Sequence, residues 1–116
     1  MKYHNKKVVR DGETFDSVKE YRRFCELLLL EKGGVISDLQ RQVKYVLIPS
    51  QYQECGKKKK CIERECSYIS DFSYFDSDGK LHVEDVKGYK GGGAYAVFKI
   101  KRKLMLYIHN IIVEEV

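Results

Sequence analysis

The chain has 116 residues, 22 of them Lys or Arg and 17 Asp or Glu, for a net charge of +5. That length makes one domain with a modest core, residues 1–116, and is too short for a catalytic domain plus a separate binding domain. A hydrophobic content of 43% with a single proline argues against disorder, no apolar run approaches the roughly 20 residues of a membrane helix, and the basic balance favours a polyanion such as nucleic acid as partner.

Met1 to Asn5 carry no apolar stretch of the signal-peptide kind, so an intracellular protein is expected. Lys7 to Arg10 reads as a short extended piece turning at Asp11-Gly12. Asp16 and Ser17 offer helix caps, and Val18, Tyr21, Phe24, Cys25, Leu28 and Leu29 recur at helical spacing up to about Glu31, where Gly33-Gly34 ends the helix. Val35 to Leu39 is a short apolar segment. Gln42 to Ile48 alternates as a strand does and closes at Pro49. Residues 50–66, rich in Lys and Cys, read as a long loop or a loose hairpin extension. Tyr68 to Phe75 and Leu81 to Lys87 read as two strands around the turn Asp76-Ser77-Asp78-Gly79-Lys80. Gly88 to Gly93 reads as a flexible loop, suited to closing over a substrate. Ala94 to Tyr107 carries Val97, Ile100, Leu104 and Tyr107 at helical spacing, and Ile111 to Val113 is a last strand. The core order is helix, three strands, helix, strand: an α/β domain with a mixed sheet flanked by helices.

Cys25 sits in an apolar stretch and reads as core. Cys55, Cys61 and Cys66 are spaced C-x5-C-x4-C, which fits no standard zinc pattern. A Cys3His site completed by His82 is the metal alternative, and reduced thiols in a loop the preferred reading. His4, His82 and His109 have no mutual spacing that suggests a site.

The informative residues are acids inside strands, where Asp is depleted. A three-residue loop Ser77-Asp78-Gly79 sets Asp71 directly opposite Asp85 with Lys87 on the same face. A two-residue Asp78-Gly79 loop sets Asp71 beside His82 and Glu84 and turns Lys87 away. In the first register two carboxylates have Cβ atoms about 5 Å apart, an arrangement that destabilises a sheet unless something sits between them. A divalent cation with hard oxygen ligands suits that place. A nearby lysine could then serve the attacking water or the phosphate in phosphodiester hydrolysis. In either register Glu84 points away from Asp85, so it is not expected among the ligands. A solvent-facing hairpin with acids paired to lysines is the plain alternative.

Asp71, followed after 13 residues by Asp85-Val86-Lys87, resembles the PD-(D/E)XK nuclease signature. Phe15-Asp16-Ser17-x-x-Glu20, Gln42 before its strand, Tyr68-Ile69-Ser70-Asp71-Phe72, Val83-Glu84-Asp85-Val86-Lys87-Gly88 and the Lys-rich last helix together are similar to a phage and prophage family. That family was long catalogued as a domain of unknown function and is assigned to these endonucleases. The resemblance runs from about Tyr3 to Val116, and it departs from the pattern at Ser70, where the signature's proline would stand, and in the Cys-rich segment. It implies a restriction-endonuclease-like core and the first hairpin register. Asp71 and Asp85 would be metal ligands, Glu20 a further ligand direct or through water, Lys87 the catalytic lysine and Gln42 a supporting residue near the site. Ser17-x-x-Glu20 is also a capping box.

The expected activity is that of an Mg²⁺- or Mn²⁺-dependent DNA endonuclease in the cytoplasm of a bacterial host cell, serving phage DNA processing or recombination, with branched DNA as a substrate suggestion. The segment 86–113 contains no Asp or Glu. Lys90, Lys99, Arg102 and Lys103 from it are the expected DNA contacts, with Lys99 and Arg102 or Lys103 as the patch. A homodimer would help so small a domain cover its substrate. The alternative is a non-catalytic nucleic-acid-binding module.

Overall fold

A computed structural model describes residues 7–10, 12–88 and 90–116; His4, Asp11 and Tyr89 lie outside the described residues. Val8–Arg10 (β1) and Glu13–Phe15 (β2) pair as an antiparallel hairpin. Helix α1 spans Val18–Lys32, capped by Ser17, whose Oγ accepts the Glu20 N–H at 3.1 Å. Its buried stripe is not the expected one. Leu27 is fully buried while Leu29 is 71% exposed and Leu28 partly so, because four consecutive leucines populate every side of a helix and do not reveal its phase. Cys25 is only half-buried.

Ile36–Arg41 (β3), Lys44–Ile48 (β4), Gln51–Cys55 (β5), Lys58–Glu63 (β6), Cys66–Ile69 (β7), Phe72–Asp76 (β8) and Leu81–Asp85 (β9) follow, then helix α2 over Gly92–His109 and Val113–Glu115 (β10). The central sheet has the order β10-β9-β8-β3, with β10 parallel to β9 and the other pairs antiparallel. The stretch read as one strand from Tyr68 to Phe75 is broken at Ser70-Asp71, and the expected Gln42 strand begins at Lys44. β3–β4 and β7–β8 are therefore two long strands bent at the same level, where Gln42 N–H donates to Asp71 O (3.2 Å) and Ser70 N–H to Val43 O (2.9 Å). Beyond the bend, β4 pairs with β7. β5 and β6 form a wholly exposed hairpin, so of the two readings of residues 50–66 the hairpin extension holds and the long loop does not. The glycine-rich loop ends at Gly91, and Gly92 opens α2. The last strand lies two residues beyond its expected place.

Pairing of Phe72 with Glu84 and Tyr74 with His82 puts those four on one face of the sheet and Val83 on the other. Leu27 of α1 packs with Ile36, Phe72 and Tyr74, and Phe98 and Met105 of α2 pack with Leu47, Tyr68, Val83 and Val113. The helices thus cover opposite faces, giving a mixed α/β domain with two apolar layers. Each buried Leu or Phe in them contributes about 1.5–3 kcal/mol. On α2 the buried residues are Phe98 and Met105, whereas Val97, Ile100 and Tyr107 of the expected stripe are exposed. The helix carries two apolar stripes, and the sheet takes the other one. No described helix is long and apolar enough to cross a membrane.

Candidate functional site

The β8–β9 turn decides which acids meet. Asp76 N–H donates to Lys80 O at 2.9 Å and Gly79 N–H to Asp76 O at 3.0 Å. Gly79 has φ +81°, open to glycine at no steric cost. The Asp76 carboxylate accepts the N–H groups of Asp78 and Lys80. This is the three-residue loop, and the pairs Phe72–Glu84 and Phe75–Leu81 belong to the first of the two registers. The ladder ends at Phe72–Glu84, one residue short of Asp71; there Asp71 N–H donates to Glu84 O at 3.1 Å, and the charge of Asp85 acts on the Asp71 carboxyl as a near neighbour. Glu84 points to the opposite face, as expected, where Arg23 grips it with two hydrogen bonds (2.8 and 2.6 Å) and Tyr74 donates its hydroxyl.

Asp85 is buried with both oxygens engaged. Oδ2 accepts from the Tyr68 hydroxyl at 2.6 Å, and Oδ1 lies 2.7 Å from Lys87 Nζ. The same ammonium sits 3.5 Å from the centre of the Phe98 ring, a second attraction that holds it in place. Burial first, then the charge of Asp85 and its hydrogen bond, push the Tyr68 hydroxyl far above the ordinary phenol range, so it stays a donor. Asp71 Oδ2 accepts the Val86 N–H at 2.7 Å. Its carboxyl is pushed up to about 7, chiefly by burial and then by the charges of Asp85 and Glu20 and a side-chain hydrogen bond to Glu20 that the protonated form can make, against the opposing pull of the Val86 N–H.

Glu20 enters from the first turn of α1 and is 2% exposed. One oxygen accepts the Asp16 N–H at 2.8 Å, reaching one residue further back than a capping box does. The other, Oε1, is buried without a hydrogen-bond partner, the Arg41 Nη2 lying 3.9 Å away. Capping therefore accounts for half of this carboxylate. An unpaired buried acceptor is costly, and it lies in the neighbourhood of two further acids.

The structure thus brings Asp71, Asp85, Lys87 and Glu20 to one end of the sheet. Gln42 contributes differently: it stands at the bend with φ +52°, its side chain exposed, and only its backbone meets Asp71. The expected DNA patch is split. Lys99 and Lys103 are exposed one turn apart on α2, but Arg102 is half-buried and paired with Glu115 at 2.8 Å. Residue 102 lies one turn on from 99, but its guanidinium is turned to Glu115 of β10. Lys90 lies 3.9 Å from the same Glu115.

Three residues escaped sequence reasoning. Tyr68 holds Asp85, but the break at Ser70 hides the face it shares with β9. Lys19 Nζ donates to the Lys87 carbonyl at 2.5 Å, and Arg23 neutralises Glu84. Both belong to α1 and meet β9 only through the fold.

The hard-oxygen donor set of Asp71, Asp85 and Glu20, with its orphaned Glu20 oxygen, fits Mg²⁺ or Mn²⁺ in chemistry. Among the described residues no three His, Cys, Asp or Glu side chains are already disposed as a metal cluster; Asp85 would have to exchange Lys87 for the ion. The zinc alternative fails on geometry. Cys55 pairs with Lys58 and Cys61 with Tyr52, three rungs apart and on opposite faces of the ribbon, and all four cysteines are free.

A family described as "Protein of unknown function (DUF1064)" matches residues 1–113. The chain belongs to that family. No curated protein and no solved structure matches it. The match spans α1, the central sheet up to the first residue of β10, and every residue of the acidic site, so the whole site falls within the family's extent.

Proposed function

We propose that this domain is a divalent-cation-dependent DNA endonuclease of the PD-(D/E)XK kind, with a restriction-endonuclease-like core. The observation that carries the reading is the set of Asp71 close beside Asp85, Lys87 paired to Asp85, and the buried Glu20 next to them with Oε1 lacking a donor. Like charges brought together at the end of a sheet are destabilising, and buried polar groups are ordinarily satisfied. A site that keeps both departures together is built for something positively charged.

Asp71 and Asp85 would hold Mg²⁺ or Mn²⁺, with Glu20 direct or through water. When bound, the ion supplies Lewis acidity towards a phosphate oxygen and a more acidic bound water. The chain's own residues do the rest. Tyr68 donates to Asp85 Oδ2 and keeps that carboxylate in one rotamer. The Val86 N–H does the same for Asp71 Oδ2. Lys87, released from Asp85 Oδ1, presents its ammonium to the attacking water or to the charge that grows on the phosphate. The Lys19 contact to the Lys87 carbonyl holds the backbone from which that ammonium projects. Lys99 and Lys103 offer contacts to the phosphate backbone. Phage DNA processing, including branched substrates, is the setting this reading suggests.

A second reading, a nucleic-acid-binding module without catalysis, draws on the engagement of both Asp85 oxygens, which makes the Asp85–Lys87 pair self-sufficient. Incubating linear and four-way-junction DNA with the protein in Mg²⁺, Mn²⁺ or EDTA separates them. Metal-dependent cleavage that is lost in Asp85→Asn and in Lys87→Met is expected. DNA binding with no cleavage in any cation, unchanged by either substitution, would sink the nuclease reading and favour the module.

A further inference from the structure

The apolar residues on the outer side of α2 have no role in the acidic site, and the lysines beside them are the only part of that side the proposed DNA contact uses. Gly93, Val97, Ile100, Leu104 and Tyr107 follow one another at intervals of four, three, four and three residues, the a/d spacing by which one helix lies along another. Val97 is 53%, Ile100 60% and Tyr107 87% exposed, while Leu104 between them is half-buried and also touches the core, so the seam runs along the edge of the outer face. It runs for about 21 Å at 1.5 Å per residue, and Ile69, 56% exposed on β7, adds to it in the hollow lined by Val97 and Lys101. A contiguous apolar strip of this kind on a charged domain marks a contact surface.

Its flanks say what would cover it. In the a/d frame the neighbouring e and g positions are Ala94, Lys101 and Ile108 on one side and Ala96, Lys103 and Asn110 on the other. Every charge bordering the seam is a lysine, with Lys99 beyond, and no acid occurs between Val86 and Val113. Two copies of α2 laid together in parallel would set Lys101 against Ala96 and Lys103 against Ile108, and antiparallel order would set lysine against lysine or an uncharged flank, so no register yields an attractive pair. Flanking charges choose the partner in helix pairs. We infer that the outer face of α2 docks an amphipathic helix of another protein, with apolar residues along its seam and Asp or Glu along its flanks.

Three designed peptides of three heptads test this with the full chain: Leu at a and d with Glu at e and g, the same with Lys at e and g, and the Glu peptide with Ser in place of Leu. Fluorescence anisotropy at 0.1 M salt is expected to show the Leu/Glu peptide binding at least 50-fold more tightly than either of the others. Ile100→Glu, at an exposed position, should weaken it at least tenfold with an unchanged thermal melt, as should Tyr107→Ser. Lys101→Glu with Lys103→Glu should reverse the preference to the Leu/Lys peptide. The inference is overturned if the Leu/Glu peptide does not bind, if the Ser peptide binds as well, or if the two seam substitutions change nothing. It is also overturned if sedimentation shows a dimer that Ile100→Glu dissociates, or if duplex DNA alone protects the face.

Discussion

Asp71→Asn should make the protein more stable while removing the proposed nuclease activity. Burial and the neighbouring acids hold the Asp71 carboxyl near 7 instead of 3.8. At about 1.4 kcal/mol per pH unit, ionising it in the fold costs roughly 4 kcal/mol more than in the unfolded chain. Below pH 3.8 both states are protonated and the cost vanishes; it grows as pH rises and is complete above pH 7. The amide keeps an oxygen to accept the Val86 N–H and adds an N–H₂ near the unpaired Glu20 Oε1. The surroundings relax around the charge and relieve part of the cost, so the substitution should add about 2–4 kcal/mol at pH 8. In a domain this size that is roughly a 10 °C rise in melting temperature. By the same arithmetic the gain at pH 5 should be roughly a third as large. Differential scanning calorimetry at the two pH values reads it directly. Mg²⁺ at ten times its dissociation constant should stabilise the wild type by about 1.4 kcal/mol at pH 8 and Asp71→Asn hardly at all. A variant no more stable than the wild type at pH 8, or equally stabilised at both pH values, would refute the reasoning.

Tyr68→Phe leaves the buried Asp85 oxygen without its donor and should cost about 1.5–3 kcal/mol in urea unfolding, with cleavage falling more than DNA binding. Arg23→Met strands a carboxylate that is 1% exposed and should cost about 3–5 kcal/mol; adding Glu84→Gln should return much of it, measured as a double-mutant cycle. His82 bridges the hairpin turn and β10, its ring nitrogens 2.7 Å from the Asp76 and Glu114 carboxylates, which accept from the protonated ring. Its pKa is raised, first by the Asp76 hydrogen bond and then by Glu114, against partial burial. That contribution is fully present below the unfolded value of 6.5 and is lost as pH rises through the higher folded value. The urea midpoint should therefore fall over that range in the wild type and stay flatter in His82→Gln.

Local rules carried the reading wherever one residue's chemistry sufficed. Ser17 and Glu20 announced the start of α1, Asp76 to Lys80 announced the turn, and the acids in strands announced the site. The phase of α1 was not legible, because Leu27 to Leu30 leave no polar side to orient by. The phase of α2 was ambiguous for the converse reason: two apolar stripes share one helix, and only contact with Val83, Tyr68 and Leu47 selects Phe98 and Met105. The bends at Gln42 and Ser70-Asp71 are likewise tertiary, each satisfied by a hydrogen bond from the other strand.

The sequence by itself determined the class of the domain, the hairpin with its two admissible registers, and the identity of the acids and the lysine, since these follow from side-chain chemistry and short-range spacing. Only the tertiary structure decided that Asp71 comes beside Asp85, that Glu20 reaches them from α1, and that Tyr68, Lys19 and Arg23 hold this end of the sheet in place. Those contacts join residues up to 68 positions apart, and a chain's spacing carries no record of which distant face will close over which.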